Sequence, residues 1–148
     1  MNLPPLGKIK YLTIHCTATP EGRDNTAAEV TQWDIQRFHQ PSYHYVVELD
    51  GDVVNTLDER YLGAHVGHAN TGNLGISYVG GTETLNAGGK PKDTRTVQQK
   101  HSLFVFVQKR LQLHPGLIVR GHNEWPGVAK ACPSFSVKAW LRETGLVR

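Results

Sequence analysis

A disulfide framework, a membrane-spanning stretch and long blocks of one charge are all missing from this sequence. Its 148 residues include only two cysteines, Cys16 and Cys132. Two are too few for a disulfide scaffold, and a chain of this length can bury a core without one. The longest later apolar run, Leu103–Val107, has five residues, against the ~20 that a membrane helix needs. Met1–Lys10 holds two prolines and no apolar stretch long enough for an export signal, so the chain is expected to be cytoplasmic at synthesis and not inserted in a membrane. Sixteen Lys and Arg against 13 Asp and Glu leave +3. That mild excess suits an anionic partner, but it forms none of the basic runs that mark a nucleic-acid tail. With no repeat and no change of composition along the chain, one domain over 1–148 is expected.

Local patterning then supplies the elements. Tyr11–Thr17 reads as a strand, because Leu12 and Ile14 alternate with Thr13 and His15, and the breaker Thr19-Pro20-Glu21-Gly22 follows. Ala27, Val30, Trp33 (or Ile35) and Phe38 recur at helical spacing, with Thr26 as N-cap and Glu29 as its capping-box partner. Tyr43–Leu49, Asp50-Gly51 and Asp52–Thr56 read as strand, tight turn and strand. Residues 63–75, rich in Gly, His and Asn, read as an ordered functional loop leading into a strand over Gly75–Val79. Asn86–Lys92 is polar and Gly-rich, a solvated loop. Thr96–Leu113 is the clearest helix, with Val97, Leu103 (or Phe104), Val107 and Leu111 on one face. A short strand at Leu117–Val119, a long loop over Gly121–Ser134 and a helix at Val137–Glu143 complete the chain. This order predicts a mixed α/β fold: a central mixed sheet of about five strands flanked by helices.

Among eight histidines, position matters more than number. His15 ends one strand, His122 closely follows another, and Cys132 lies ten positions further on, so the three side chains could converge at neighbouring strand ends. Two imidazoles and a thiolate suit Zn²⁺, and three protein ligands leave a fourth position for water, the arrangement of a catalytic site. Spacing alone leaves open the alternative of three unconnected core and surface residues.

Several segments, in this order along the chain, resemble the type-2 N-acetylmuramoyl-L-alanine amidases, a class that includes phage lysozyme-like amidases and peptidoglycan recognition proteins. They are Leu12-Thr13-Ile14-His15-Cys16-Thr17-Ala18-Thr19, Ser42-Tyr43-His44-Tyr45-Val46-Val47 with Asp50-Gly51, Gly63-Ala64-His65, Asn73-Leu74-Gly75-Ile76, Gly80-Gly81, and Gly121-His122 through Trp125-Pro126-Gly127 to Lys130-Ala131-Cys132-Pro133. The resemblance implies a zinc hydrolase that cuts the amide between the lactyl group of N-acetylmuramic acid and L-alanine of the stem peptide. On the matching positions His15, His122 and Cys132 bind zinc, and Tyr43 and Lys130 assist catalysis as in the phage branch. His65 falls where relatives line the substrate groove. The implied partner is peptidoglycan, met by a monomer along one edge of the sheet, and the implied role is that of a phage or prophage endolysin acting on the cell wall after release into the host periplasm. Nine residues separate His122 from Cys132, more than in the most similar phage forms.

Other residues have plainer readings. Strand alternation sends Cys16 to the face opposite His15, as a small buried apolar residue. His44 opposes Tyr43 and is structural, and His39, His101 and His114 sit at or near helix ends on the surface. Trp33 and Trp140 pack, whereas Trp125 either buttresses His122 or edges the groove. Two other functions compete: a peptidoglycan-binding module without hydrolysis, and a cysteine hydrolase pairing Cys16 or Cys132 with a histidine base.

Overall fold

The computed structural model describes residues 2–84 and 89–148. Its elements are β1 (Tyr11–Cys16), β2 (Thr19–Pro20), α1 (Ala27–Phe38), β3 (Tyr45–Val47), β4 (Val53–Asn55), β5 (Asn73–Tyr78), β6 (Gly81–Thr82), α2 (Val97–Leu113), β7 (Ile118–Gly121), a 3-10 turn (His122–Glu124) and α3 (Val137–Glu143). Five strands form a mixed sheet in the order β4-β3-β5-β1-β7. Only the β3–β4 hairpin is antiparallel, while β1, β3, β5 and β7 run parallel. This is the mixed α/β architecture that the element order predicts.

The two faces of β1 and β5 do different jobs. Leu12 and Ile14 of β1, with Leu74, Ile76 and Tyr78 of β5, form the main core with Leu103 and Val107 of α2 and with Val137, Trp140 and Leu141 of α3. The opposite face carries Thr13 and His15 beside Gly75 and Ser77, all of period two. A smaller core, Val46 and Val79 with Ala27 and Val30, lies under α1.

Thr26 and Glu29 form the expected capping box on α1, and Thr96 with Gln99 forms another on α2. Four expectations need correction. Val97, expected on the inward face of α2, is 81% exposed. The inward place belongs to Gln99, whose Nε2 donates to the carbonyls of Val47 and Val79 and so satisfies backbone groups at two strand ends. Trp33 and Phe38 are 42% and 44% exposed rather than packed, because the small second core covers only the first turns of α1. The breaker at Thr19-Pro20 pairs in parallel with Gly81-Thr82. Proline is tolerated there because the ladder uses Thr19 N–H to Gly80 O and Glu21 N–H to Thr82 O, passing over the residue with no donor. The loop at Gly121–Ser134 opens with the 3-10 turn. Of the loop expected over 86–92, residues 86–88 lie outside the described residues.

Candidate active site

His15 owes its position to sheet register. Ile14 of β1 pairs with Gly121 of β7, so the next residue of each strand, His15 and His122, emerges at the same level. Their ring centroids are 4.6 Å apart. Gly121 has to be small here: a Cβ would lie 2.7 Å from Asn123 Oδ1 and 3.0 Å from both Pro133 Cδ and Val137 Cγ2. Glu124 fixes the turn that carries His122, accepting from Gly121 N–H at 2.8 Å and from Lys138 N–H at 3.0 Å.

Cys132 arrives from far along the chain, and its loop is tied down on both sides. Asn123 N–H donates to Cys132 O at 2.8 Å, the Tyr78 hydroxyl to Pro133 O at 2.6 Å, and the Ser134 hydroxyl to Gly81 O at 2.9 Å. Its sulfur accepts from Cys16 N–H at 3.2 Å and lies 3.7 Å from His15 Nδ1. Donor atoms of His15, His122 and Cys132 all lie within 4.8 Å of one another, the one such group among the described residues. Bonds of about 2.0–2.3 Å at a tetrahedral angle separate an imidazole nitrogen from a thiolate by roughly 3.6 Å, so the His15–Cys132 spacing fits a zinc ion.

These donors line a cavity of about 310 Å³. Trp33, Asp34, Arg37 and Phe38 of α1 line the same cavity, as do Tyr43 and the exposed Lys130. The Tyr43 ring is 5.0 Å from that of His15. Burial pulls the His15 pKa well below the usual imidazole range, helped by His65, His122 and Lys130. Burial and then Lys130 lower that of His122. Both rings are therefore neutral at pH 7, as metal ligation requires. Burial also raises the Tyr43 phenol, which stays protonated. Contact with the Cys16 thiol, followed by burial, pushes the Cys132 thiol up.

His65 packs against His15 and lines the same cavity. It is buried, with Nδ1 2.9 Å from His15 Nε2 and Nε2 2.9 Å from the Asn73 carbonyl. Both ring nitrogens are thus engaged within the protein. The Trp125 side chain packs on β1: its Nε1 donates to Thr13 Oγ1 at 2.9 Å, and its ring meets Tyr11 edge-on at 5.0 Å. Cys16 is buried as its alternation requires, and the bond from its N–H to the Cys132 sulfur is a contact that 116 residues of separation conceal. His44 is structural, its Nδ1 accepting from Gly75 N–H and its Nε2 donating to Tyr61 O. Asp34 and Asn73 were not singled out for the site by sequence reasoning.

Fold and site together define a mixed α/β protein with an open three-donor centre at the ends of two parallel strands. The family model described as N-acetylmuramoyl-L-alanine amidase matches residues 5–135. An endolysin of Escherichia phage T7 is 31% identical over 135 residues, covering 90% of this chain and 86% of the endolysin. Among solved structures, N-acetylmuramoyl-L-alanine amidase LysC from Clostridium intestinale URNW superposes with a TM-score of 0.80 at 18% identity, over 100% of this chain and 92% of LysC. Peptidoglycan recognition protein-LE, solved with tracheal cytotoxin, a monomeric diaminopimelic acid-type peptidoglycan, reaches 0.71 at 18% identity over 96% and 85%. The chain belongs to the N-acetylmuramoyl-L-alanine amidase family.

Proposed function

We propose that this protein is a zinc-dependent peptidoglycan amidase, cleaving the bond between the lactyl group of N-acetylmuramic acid and L-alanine of the stem peptide. The observation that carries this reading is the gathering of His15, His122 and Cys132 at a cavity that also holds Tyr43 and Lys130. Two neutral imidazoles and a thiolate would hold Zn²⁺ and leave one coordination position to solvent. When bound, the ion supplies a Lewis acid and acidifies a water toward hydroxide near neutral pH.

The chain's own groups would do the rest. As water adds to the amide carbon, negative charge grows on the carbonyl oxygen, and the Lys130 ammonium stabilises it. The protonated Tyr43 hydroxyl donates a hydrogen bond to that oxygen or a proton to the departing amine. The C–N bond then breaks, giving a free lactyl carboxylate and a new L-alanine amino group. Peptidoglycan as substrate is supported by family membership and by the fragment held by the structurally similar recognition protein. The endolysin relatives support a phage or prophage role, with the chain made in the cytoplasm and working as a monomer on the wall once released.

The test compares wild type with Cys132→Ser for zinc content and for release of L-alanine amino termini from purified sacculi. Wild type should carry one zinc per chain, lose hydrolysis to a chelator and regain it with zinc, while the variant loses both. Equal zinc in the two proteins would overturn the ligand assignment. Activity that survives chelation but not thiol alkylation would favour the cysteine hydrolase, and binding to sacculi without new amino termini would favour the recognition module.

A further inference from the structure

The buried contact between His65 and His15 can be assigned proton by proton. A backbone carbonyl only accepts, so the 2.9 Å contact with Asn73 O requires a proton on His65 Nε2. In a neutral imidazole Nδ1 is then bare. It can only accept, so the 2.9 Å contact with His15 requires a proton on His15 Nε2. His15 is left with its lone pair on Nδ1, the nitrogen that lies 3.7 Å from Cys132 Sγ among the candidate metal donors. The direction of the whole relay is thus set by one carbonyl at the start of β5.

We infer that His65 is a positioning residue that holds His15 in the tautomer and ring orientation needed for Nδ1 to ligate the metal. The inference rests on reading His15 as a zinc ligand. A ligating histidine that donates its second N–H is more basic and loses no orientation on binding, and such outer partners are commonly worth 10–100-fold in metal affinity.

The surroundings of His65 are built to keep its ring in place. Asn70 Oδ1 accepts from the N–H groups of both His65 and Val66, at 3.0 and 2.9 Å. Asn73, which supplies the carbonyl, has its own side chain fixed: Oδ1 accepts from the Thr13 hydroxyl at 2.8 Å, and Nδ2 donates to Ala69 O at 2.8 Å. The ring lies over Gly75, where a Cβ would come within 2.9 Å of Nδ1. Near its Cδ2 is Gly63, where a Cβ would lie 3.1 Å from that atom and 2.5 Å from Ser42 O. The absent side chain at Gly75 therefore leaves room for the ring, and one backbone oxygen sets the proton order within the slot.

The experiment compares wild type with His65→Phe, which keeps ring volume without either hydrogen bond, and with His65→Gln, whose amide can accept from His15 and donate to Asn73. Zinc affinity is read by competition with a chromophoric chelator. The tautomer of His15 is read in the metal-free proteins by long-range ¹H–¹⁵N correlation, after a melting curve has established folding. Expected results are an Nε2–H tautomer at His15 in wild type, a 10–100-fold loss of zinc affinity in His65→Phe with a mixed His15 tautomer, and recovery of most of that loss in His65→Gln. A folded His65→Phe with zinc affinity within twofold of wild type, or an Nδ1–H tautomer at His15 in the wild type, would overturn the inference. Wild type that binds no zinc would overturn the metal centre itself, and the tautomer measurement, which needs no metal, would still decide the role of His65.

Discussion

Replacing Gly75 by alanine should damage the site through His65 rather than through the strand. Gly75 lies mid-strand with no left-handed backbone angle, so alanine can take its conformation. The new methyl would stand 2.9 Å from His65 Nδ1 and 3.0 Å from Cε1 and Cγ, where ordinary contact begins at 3.4 Å. A retreat of about 0.5 Å (3.4 less 2.9) is needed, and it must stretch the 2.9 Å bonds that hold the ring. Overpacking of this kind costs about 1–3 kcal/mol. At about 2–4 °C per kcal/mol for a domain near this size, Tm should fall by roughly 2–12 °C. Thermal melts of metal-free wild type, Gly75→Ala, His65→Ala and the double variant measure it. With the ring removed the three atoms nearest the methyl are gone, so in the His65→Ala background its cost should shrink to below about 0.5 kcal/mol, a coupling that neighbours show and distant sites do not. The same cost in both backgrounds would refute the steric argument.

Lys130→Ala should lower kcat on sacculi by roughly 10²–10³-fold with zinc content unchanged, the loss expected when one oxyanion-stabilising group is removed; loss of zinc as well would assign Lys130 a structural part. Trp125→Phe deletes the donor to Thr13 and should cost about 0.5–1.5 kcal/mol in a urea titration; an unchanged midpoint would show that the indole N–H contributes nothing. Burial, opposed by Ser42 and Arg37, raises the Asp34 carboxyl from its ordinary 3.8 to about 6. The folded state then binds that proton more tightly than the unfolded state, so this group's contribution to stability is full below pH 3.8 and is lost as pH rises to about 6. Asp34→Asn should therefore gain stability over wild type as pH rises through that window, and denaturation curves that stay parallel from pH 4 to pH 7 would contradict it.

Much of the fold was legible because it depends on neighbours in sequence. The alternation of Tyr11–Cys16, the capping box at Thr26, and the bounds of the helix Val137–Glu143 all follow from residues within one or two turns of each other. Periodicity failed where an element outruns the surface it packs on, as at Val97 and Trp33, because spacing reports which residues share a face but not how far the covering layer extends. The resemblance to known amidases drew His15, His122 and Cys132 together across the chain, but it carried no account of what stands behind them.

Sequence alone therefore determined most of the elements, the polar face of β1 and the three candidate donors. The three-dimensional arrangement decided that Gly75 opens a slot beside Thr13, that His65 fills it, and that Asn73 O directs a proton toward His15 Nε2. Those contacts join residues 8 and 50 positions apart. Their strength depends on angles and ångströms that only the packed sheet supplies, and hydrogen bonds between distant segments leave no periodic trace in the chain.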